Sequence, residues 1–563
     1  MSKPLTLEIR SRLRPHLRWL AGFSLAVNIL LLVSPLYMLQ VYDRVLSSGS
    51  YDTLIWLSVL AVFLLAIYGA AEIGRRRVMA LAGAEIETRL GSRIFTQFEN
   101  QPSGRAALAQ NLARLSRIQS YLQNGAALPF ADLPFAPLFL LVLFLIHPVI
   151  GMIGLAGAVI VFSVAVAAEL TSRQTSAVSQ SMLGQANHLA GDLERQRSAL
   201  VAMGLIPGAF RRWQEQRDQG QALGLNAARL DGRFTGISRS TRQVLQIVVL
   251  GGGAALALSQ QISPGSIVAS SIILARLLGP IDQIVGGWRN TVLTWTAWKE
   301  LRASIDGQPD EAVFTPLPRP QAELDIERLS VAVPGHEAPL IQPFSFRAEG
   351  GQIIVLAGAI GAGKSSLLQT LSGAWPPADG SVSLGKRAMQ DWVSADRGRY
   401  VGYVPQDVEL LPATIAENIN RLTGADPEET ITAAKLAGAH DMILTLAEGY
   451  DTLIGPGGAQ LSAGQAQLVG LARALFGSPP LVLLDEPTAN LDSATAAHLI
   501  KAIGRVAEAG AVVVVSTHDR RVIEQAHTVL LLRKGSVLAA PAEQYLKLAV
   551  GPGGGAPGSQ GVA

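Results

Sequence analysis

Four stretches of this chain, residues 20–40, 53–71, 133–168 and 243–275, contain no Asp, Glu, Lys or Arg. An α-helix needs about 20 residues to cross a hydrocarbon core, so the first two runs each match one crossing. The third is broken only at His147-Pro148 and the fourth only at Ser263-Pro264-Gly265, so each reads as a helical hairpin. Six spans are expected, at about 20–40, 53–71, 129–147, 148–168, 243–260 and 264–284. A buried soluble core would need polar turns about every dozen residues, and these runs lack them. Only 16% of the residues are charged and 49% are apolar, whereas soluble domains carry about 25% charge. The first run is too long for a cleavable signal peptide, and no small-residue cleavage site precedes Asp43-Arg44.

The flanking charges set an orientation. Lys3, Arg10, Arg12, Arg14 and Arg18 precede the first span, and Arg75, Arg76 and Arg77 follow the second, which places the N-terminus in the cytoplasm. The long charged segments 72–132 and 169–242 then lie inside, as extensions of the spanning helices. In the first of these, Ile86, Leu90, Ile94 and Phe98 recur at helical spacing and are expected to share a packed face. The net charge of +3 sits beside the apolar runs, as a topology signal does, so no nucleic-acid partner is expected. With no cysteine, disulfide frameworks, thiolate zinc sites and cysteine nucleophiles are excluded.

Pro309, Pro316, Pro318 and Pro320 mark a linker at 305–321, which closes a transmembrane domain at 1–304. From residue 322 to 549, β-type runs alternate with helical patterns, the α/β layering of a second domain. Residues 550–563 are rich in Gly and Pro and read as a disordered tail. The expected fold is therefore an all-α six-helix membrane domain followed by an α/β P-loop domain.

Gly358-Ala359-Ile360-Gly361-Ala362-Gly363-Lys364-Ser365 follows the apolar run 353–356 and opens a helical pattern, with Ser366 in the same turn. It is a complete P-loop: backbone N-H groups wrap the phosphates, Lys364 reaches the β and γ oxygens, and the Ser365 hydroxyl ligates Mg²⁺. The run 481–484 ends in Asp485-Glu486, where Asp485 would hold Mg²⁺ and Glu486 would polarise the attacking water of ATP hydrolysis.

Between these lies Leu461-Ser462-Ala463-Gly464-Gln465, and here the chain resembles the ATP-binding cassette (ABC) family. The resemblance implies that Ser462, Ala463, Gly464 and Gln465 meet the γ-phosphate held by a second copy, so that the working unit is a homodimer. Gln406 matches the Q-loop, a contact to nucleotide and Mg²⁺, while Asn490-Leu491-Asp492 matches the D-loop and His518 the catalytic switch histidine. Three positions depart from the family pattern. Val333 stands where an aromatic usually stacks on adenine, Ala466 and Leu468 replace basic residues after the signature, and Pro456 occupies an acidic position before it.

The membrane half narrows the resemblance. The stretches 34–46 (SPLYMLQVYDRVL) and 132–139 (DLPFAPLF), His147-Pro148, Ala202-Met203-Gly204 and the region from Pro264-Gly265 to Pro280 are similar to type I secretion ATPases of the protease, lipase and S-layer exporter branch. The first span begins near residue 20, which leaves no room for the N-terminal peptidase-like domain of haemolysin and bacteriocin exporters. What the resemblance implies is a multi-pass protein of the bacterial inner membrane with a cytoplasmic ATPase domain. It would export an unfolded protein bearing a C-terminal signal, together with a periplasmic adaptor and an outer-membrane channel. Lipid would surround the spans. An exporter of lipid or small amphiphiles shares the same architecture and is the alternative reading.

Overall fold

The computed structural model describes residues 5–100, 107–306, 318–334, 336, 338–455, 458–489 and 491–549. Two units separate within the chain, with the division near residue 311. The tail at 550–563, most of the linker, and Gly335, Pro456 and Asn490 lie outside the described residues.

The membrane unit is helical. Among the described residues, six stretches are long and apolar enough to cross a bilayer: Ser11–Ser48, Tyr51–Phe98, Leu128–Ile146, Pro148–Ala168, Ile206–Leu258 and Pro264–Ile305. Several helices continue far beyond the apolar runs. Tyr51–Asn100, Pro148–Arg195, Ile206–Leu258 and Pro264–Ile305 hold 50, 48, 53 and 42 residues, roughly 60–80 Å of helix against a hydrocarbon core of about 30 Å.

Local chemistry explains where the helices break. His147 is extended, and its ring Nδ1 accepts from the Val149 N-H at 3.2 Å, capping the helix that starts at Pro148. Ser263 caps the sixth span in the same way, its Oγ accepting from the Ser266 N-H at 3.3 Å. The first span is not one regular helix. It turns at Leu31-Leu32 and contains a π-helical turn at Val41–Val45.

The sixth span is the hub of the packing. Ile273, Leu274, Leu277, Leu278 and Ile281 meet Phe139, Leu143, Ile150, Val161 and Val249 from the third, fourth and fifth spans. A polar cluster ties the first three spans together. Arg75, only 6% exposed, binds Asp132 at 2.5 Å and Glu72 at 2.6 Å. Asn28 Nδ2 donates to the same Asp132 oxygen at 2.9 Å. Arg75 is thus a buried structural partner as well as a topology signal.

The expected stripe in the second helix is corrected at one end. Ile86, Leu90 and Ile94 are buried against Leu115, Ile118 and Leu301, but Phe98 is 52% exposed. Steps of four residues advance about 40° beyond a full turn, so the fourth member has rotated about 120° off the face. Gln97 is buried instead and accepts from Asn111 Nδ2 at 3.2 Å.

Among its described residues the second unit holds ten strands: β1 Glu323–Ala332, β2 Pro339–Glu349, β3 Ile353–Gly358, β4 Asp379–Leu384, β5 Arg387–Ala388, β6 Val401–Val404, β7 Leu481–Asp485, β8 Val512–Ser516, β9 Thr528–Arg533 and β10 Ser536–Pro541. A four-stranded antiparallel sheet runs β2-β1-β4-β5, and a six-stranded sheet runs β10-β9-β3-β8-β7-β6. In the larger sheet all pairs are parallel except β10 with β9. Both faces of its central strands are covered, which is why those strands are uninterrupted apolar runs. Val355, Leu484, Val513 and Val515 point to one core, while Ile354, Leu356, Leu483, Val512 and Val514 point to the other.

Candidate nucleotide site

The site forms at the C-terminal ends of three adjacent parallel strands, the position where open α/β sheets bind ligands. β3 pairs with β8, and β8 with β7, in a register that sets Leu356 opposite Ser516 and Ser516 opposite Asp485. The ends of these strands and the loops leaving them carry the P-loop, His518 and Asp485-Glu486, so the sheet brings together the three elements expected to take part in hydrolysis.

Gly363 adopts φ 97°, a left-handed conformation that a side chain would strain, and it precedes the helix Lys364–Leu371. That geometry presents the first N-H groups of the helix, with its positive dipole end, to an anion. Lys364 is 7% exposed. Its Nζ donates to the Gly358 carbonyl at 2.8 Å and lies 3.2 Å from His518 Nε2. An ammonium has no acceptor, so the ring nitrogen accepts in that contact. At the tip of the loop Ile360 is 98% exposed, so among the described residues nothing covers that face of the P-loop.

Asp485 is 2% exposed, and among the described residues it makes no ion pair. A buried carboxylate without a cationic partner is costly, and with the Ser365 hydroxyl it supplies the hard oxygen donors that suit Mg²⁺. Glu486 has φ 44°, an uncommon conformation for a side-chain residue, and its N-H donates to the Ser516 carbonyl at 2.9 Å. Strain of this kind is characteristic of functional positions. Gln406 is exposed just past the end of β6.

Ser462 caps the helix Ala463–Leu475 in a reciprocal capping box: Ser462 Oγ accepts from the Gln465 N-H at 3.3 Å, and Gln465 Oε1 accepts from the Ser462 N-H at 2.9 Å. Ala463 is the first helical residue, so alanine in place of glycine meets no backbone obstacle. Ser462 and Ala463 are exposed, like Ile360. Asp492 caps the next helix by accepting from the Thr495 N-H at 2.8 Å, which holds its carboxyl below the usual range. Val333 is half-buried just past β1, with its carbonyl accepting from the His336 N-H at 2.9 Å.

Two contributors escaped the sequence reading. Gln467, 2% exposed, donates to the Pro487 carbonyl at 3.3 Å and so ties the signature helix to the loop carrying Glu486. Tyr403 is pushed up to about 12, first by burial and then by the Asp485 charge. Neither has a local pattern; the period-3.6 position of Gln467 on its helix was the only available signal.

Comparison with known proteins agrees with this geometry. The ABC transporter transmembrane region family matches residues 19–281, and the ABC transporter family matches residues 341–489. The type I secretion system ATP-binding protein PrsD of Rhizobium meliloti is 35% identical over 93% of this chain and 91% of its own length. The chain belongs to the ABC exporters of type I secretion systems. More distant relatives of the exporter are the cyclolysin secretion/processing ATP-binding protein CyaB of Bordetella pertussis, 26% identical over 94% of this chain and 75% of that protein, and the alpha-hemolysin translocation ATP-binding protein HlyB of Escherichia coli, 25% identical over 92% and 74%. The exporter is a multi-pass membrane protein that binds ATP and couples its hydrolysis to protein export.

Proposed function

We propose that this exporter is the inner-membrane motor of a type I secretion system, with its N-terminus and ATPase domain in the cytoplasm. It moves an unfolded polypeptide carrying a C-terminal signal, in concert with a periplasmic adaptor and an outer-membrane channel. The observation that carries this reading is a similarity to PrsD that runs through both the membrane and the ATPase halves.

The chain acts as a homodimer. The exposed Ile360 and the exposed signature residues Ser462 and Ala463 give each cassette two uncovered surfaces. Two copies facing each other would cover the P-loop of one with Ser462, Ala463, Gly464 and Gln465 of the other.

Each residue then has a task. The N-H groups of Gly358 to Ser366 and the Lys364 ammonium bind the phosphates. His518, already 3.2 Å from Lys364 Nζ, stands beside the γ-phosphate that Lys364 holds. Glu486 orients and polarises the water that attacks it. Ser365, Asp485 and Gln406 would hold Mg²⁺, which neutralises charge on the phosphates. Val333 would contact adenine through apolar surface alone. Closure of the cassette dimer, favoured by bound ATP, would shift the spans from inward-open to outward-open.

The test uses the purified full chain in lipid. Glu486→Gln should abolish ATP turnover while leaving ATP binding and cassette closure intact, and Lys364→Ala should weaken binding itself. Wild-type hydrolysis should respond to a peptide from the C-terminus of a type I secreted protein. Hydrolysis by Glu486→Gln at the wild-type rate would overturn the catalytic assignment, and a response to lipid but not to the peptide would overturn the substrate class.

A further inference from the structure

A second charged cleft lies in the ATPase domain, near the opposite ends of the strands from the P-loop. It has a volume of about 690 Å³ and is walled by Arg319, Arg399, Arg421, Tyr400 and Phe476, with Glu429 as its one carboxylate. A cleft of that size takes a small molecule. Three cations face one anion in its lining, and among the described residues neither Arg319 nor Arg421 pairs with a carboxylate.

Their hydrogen bonds make the point. Arg421 donates from Nε to the Arg473 carbonyl at 2.8 Å, from Nη2 to the Ala474 carbonyl at 2.9 Å, and from Nη1 to the Gly398 carbonyl. Two of these acceptors are last-turn carbonyls of the helix Ala463–Leu475, whose negative dipole end favours the guanidinium, and among the described residues no carboxylate pairs with it. Arg319 donates to the Ser478 carbonyl. Arg399 comes no nearer than 3.9 Å to Asp396 and is 72% exposed. Burial and the neighbouring Arg473 lower Arg421 to about 10, the direction expected of a cation that lacks its counter-ion.

The backbone around the cleft is strained as well. Arg421, Leu422 and Ser478 adopt φ of 59°, 60° and 51°.

We propose that this cleft binds a small phosphate-bearing metabolite, with its phosphates on Arg319, Arg399 and Arg421 and its body against Tyr400 and Phe476. Guanidinium groups match phosphate geometry in a bidentate way, and aromatic walls suit an organic body. Arg319 lies where the chain enters β1. A bound anion would therefore join that entry segment to the elements bearing Arg399 and Arg421, giving the ATPase a regulatory input separate from the ATP it hydrolyses.

The experiment is a calorimetric titration of pyrophosphate into the detergent-solubilised full chain, with the P-loop saturated by a non-hydrolysable ATP analogue and Mg²⁺ in excess. Wild type should bind the probe, and the Arg319→Ala/Arg399→Ala double variant should bind it at least about ten-fold more weakly, with basal ATP hydrolysis unchanged. Both positions are exposed, so their replacement leaves the core intact. No binding to the wild type under these conditions, or equal affinity in the double variant, would overturn the proposal.

Discussion

The carboxylate of Asp43 caps the sixth span so closely that Gly265 cannot carry a side chain. Asp43 Oδ1 accepts from the Gly265 N-H at 2.8 Å, and a methyl group on Gly265 would lie 2.6 Å from that oxygen and 2.8 Å from the Leu39 carbonyl. Ser263 Oγ donates to the other carboxylate oxygen. Asp43 sits in the π-helical turn Val41–Val45, a local widening that recurs at functional positions. The pair joins the ends of the first and sixth spans through a negative charge at a helix N-terminus.

Gly265→Ala should therefore force the two ends apart and destabilise the membrane unit by about 1–3 kcal/mol, the usual effect of overpacking. Asp43→Asn should be milder, since the amide oxygen can still accept from the Gly265 N-H. Thermal unfolding of the two purified variants checks the ranking. A Gly265→Ala protein as stable as wild type would show that the contact is not maintained in the membrane.

In the proposed site adenine would meet Val333, which offers apolar contact and no ring to stack on. Val333→Tyr should lower the KM for ATP and sharpen the preference for ATP over other nucleoside triphosphates, because a stacked ring adds about 0.5–1.5 kcal/mol. Steady-state hydrolysis across nucleotides measures both. An unchanged KM would place the adenine away from residue 333.

The sequence patterns that became structure are those with a local period or a local break. Uncharged runs matched to the bilayer became spans, and His147-Pro148 and Ser263-Pro264 became caps because a side-chain acceptor and a proline suffice to end one helix and start another. The P-loop was equally visible, since its glycines, lysine and serine are contiguous. What no local pattern could reveal are contacts between distant positions: Asp43 with Gly265, 222 residues apart, Arg75 with Asp132, and Gln467 with the Pro487 carbonyl. Phe98 shows a different limit. A spacing of four follows the helix period for two or three turns and then drifts off the buried face.

Tyr403 supplies a pH signature of the Asp485 environment. Its phenol is pushed up to about 12, against about 10 in an unfolded chain. The folded value is the higher one, so its contribution to stability is complete below about pH 10 and is lost as the pH rises through about 12. Spectroscopic titration should show a phenolate step near the top of the range, and Tyr403→Phe should remove that step. A Tyr403→Phe curve that loses its amplitude near pH 10 instead would contradict the burial of the phenol beside Asp485.

Arg276 tests the transport path. It lies 12 positions beyond Pro264, roughly 18 Å along the sixth span and past the midpoint of a hydrocarbon core of about 30 Å. The same span buries Ile273, Leu274, Leu277 and Leu278 against its neighbours, whereas Arg276 is exposed on another face. Asp282 is no partner for it, because that carboxylate accepts from Ser238 and pairs with Arg242 at 3.3 Å. A cation facing lipid at this depth costs about 2.5–3.5 kcal/mol, so a wet path through the dimer is the setting that fits it. Arg276→Ala should then reduce export of the polypeptide and the response of hydrolysis to it, while basal hydrolysis and membrane insertion stay near wild type. Cysteine at position 276 should react with aqueous thiol reagents, since the chain has no other cysteine to confuse the signal. Export unaffected by Arg276→Ala, or labelling only by lipid-dissolved reagents, would place the side chain at the lipid boundary and reject the path.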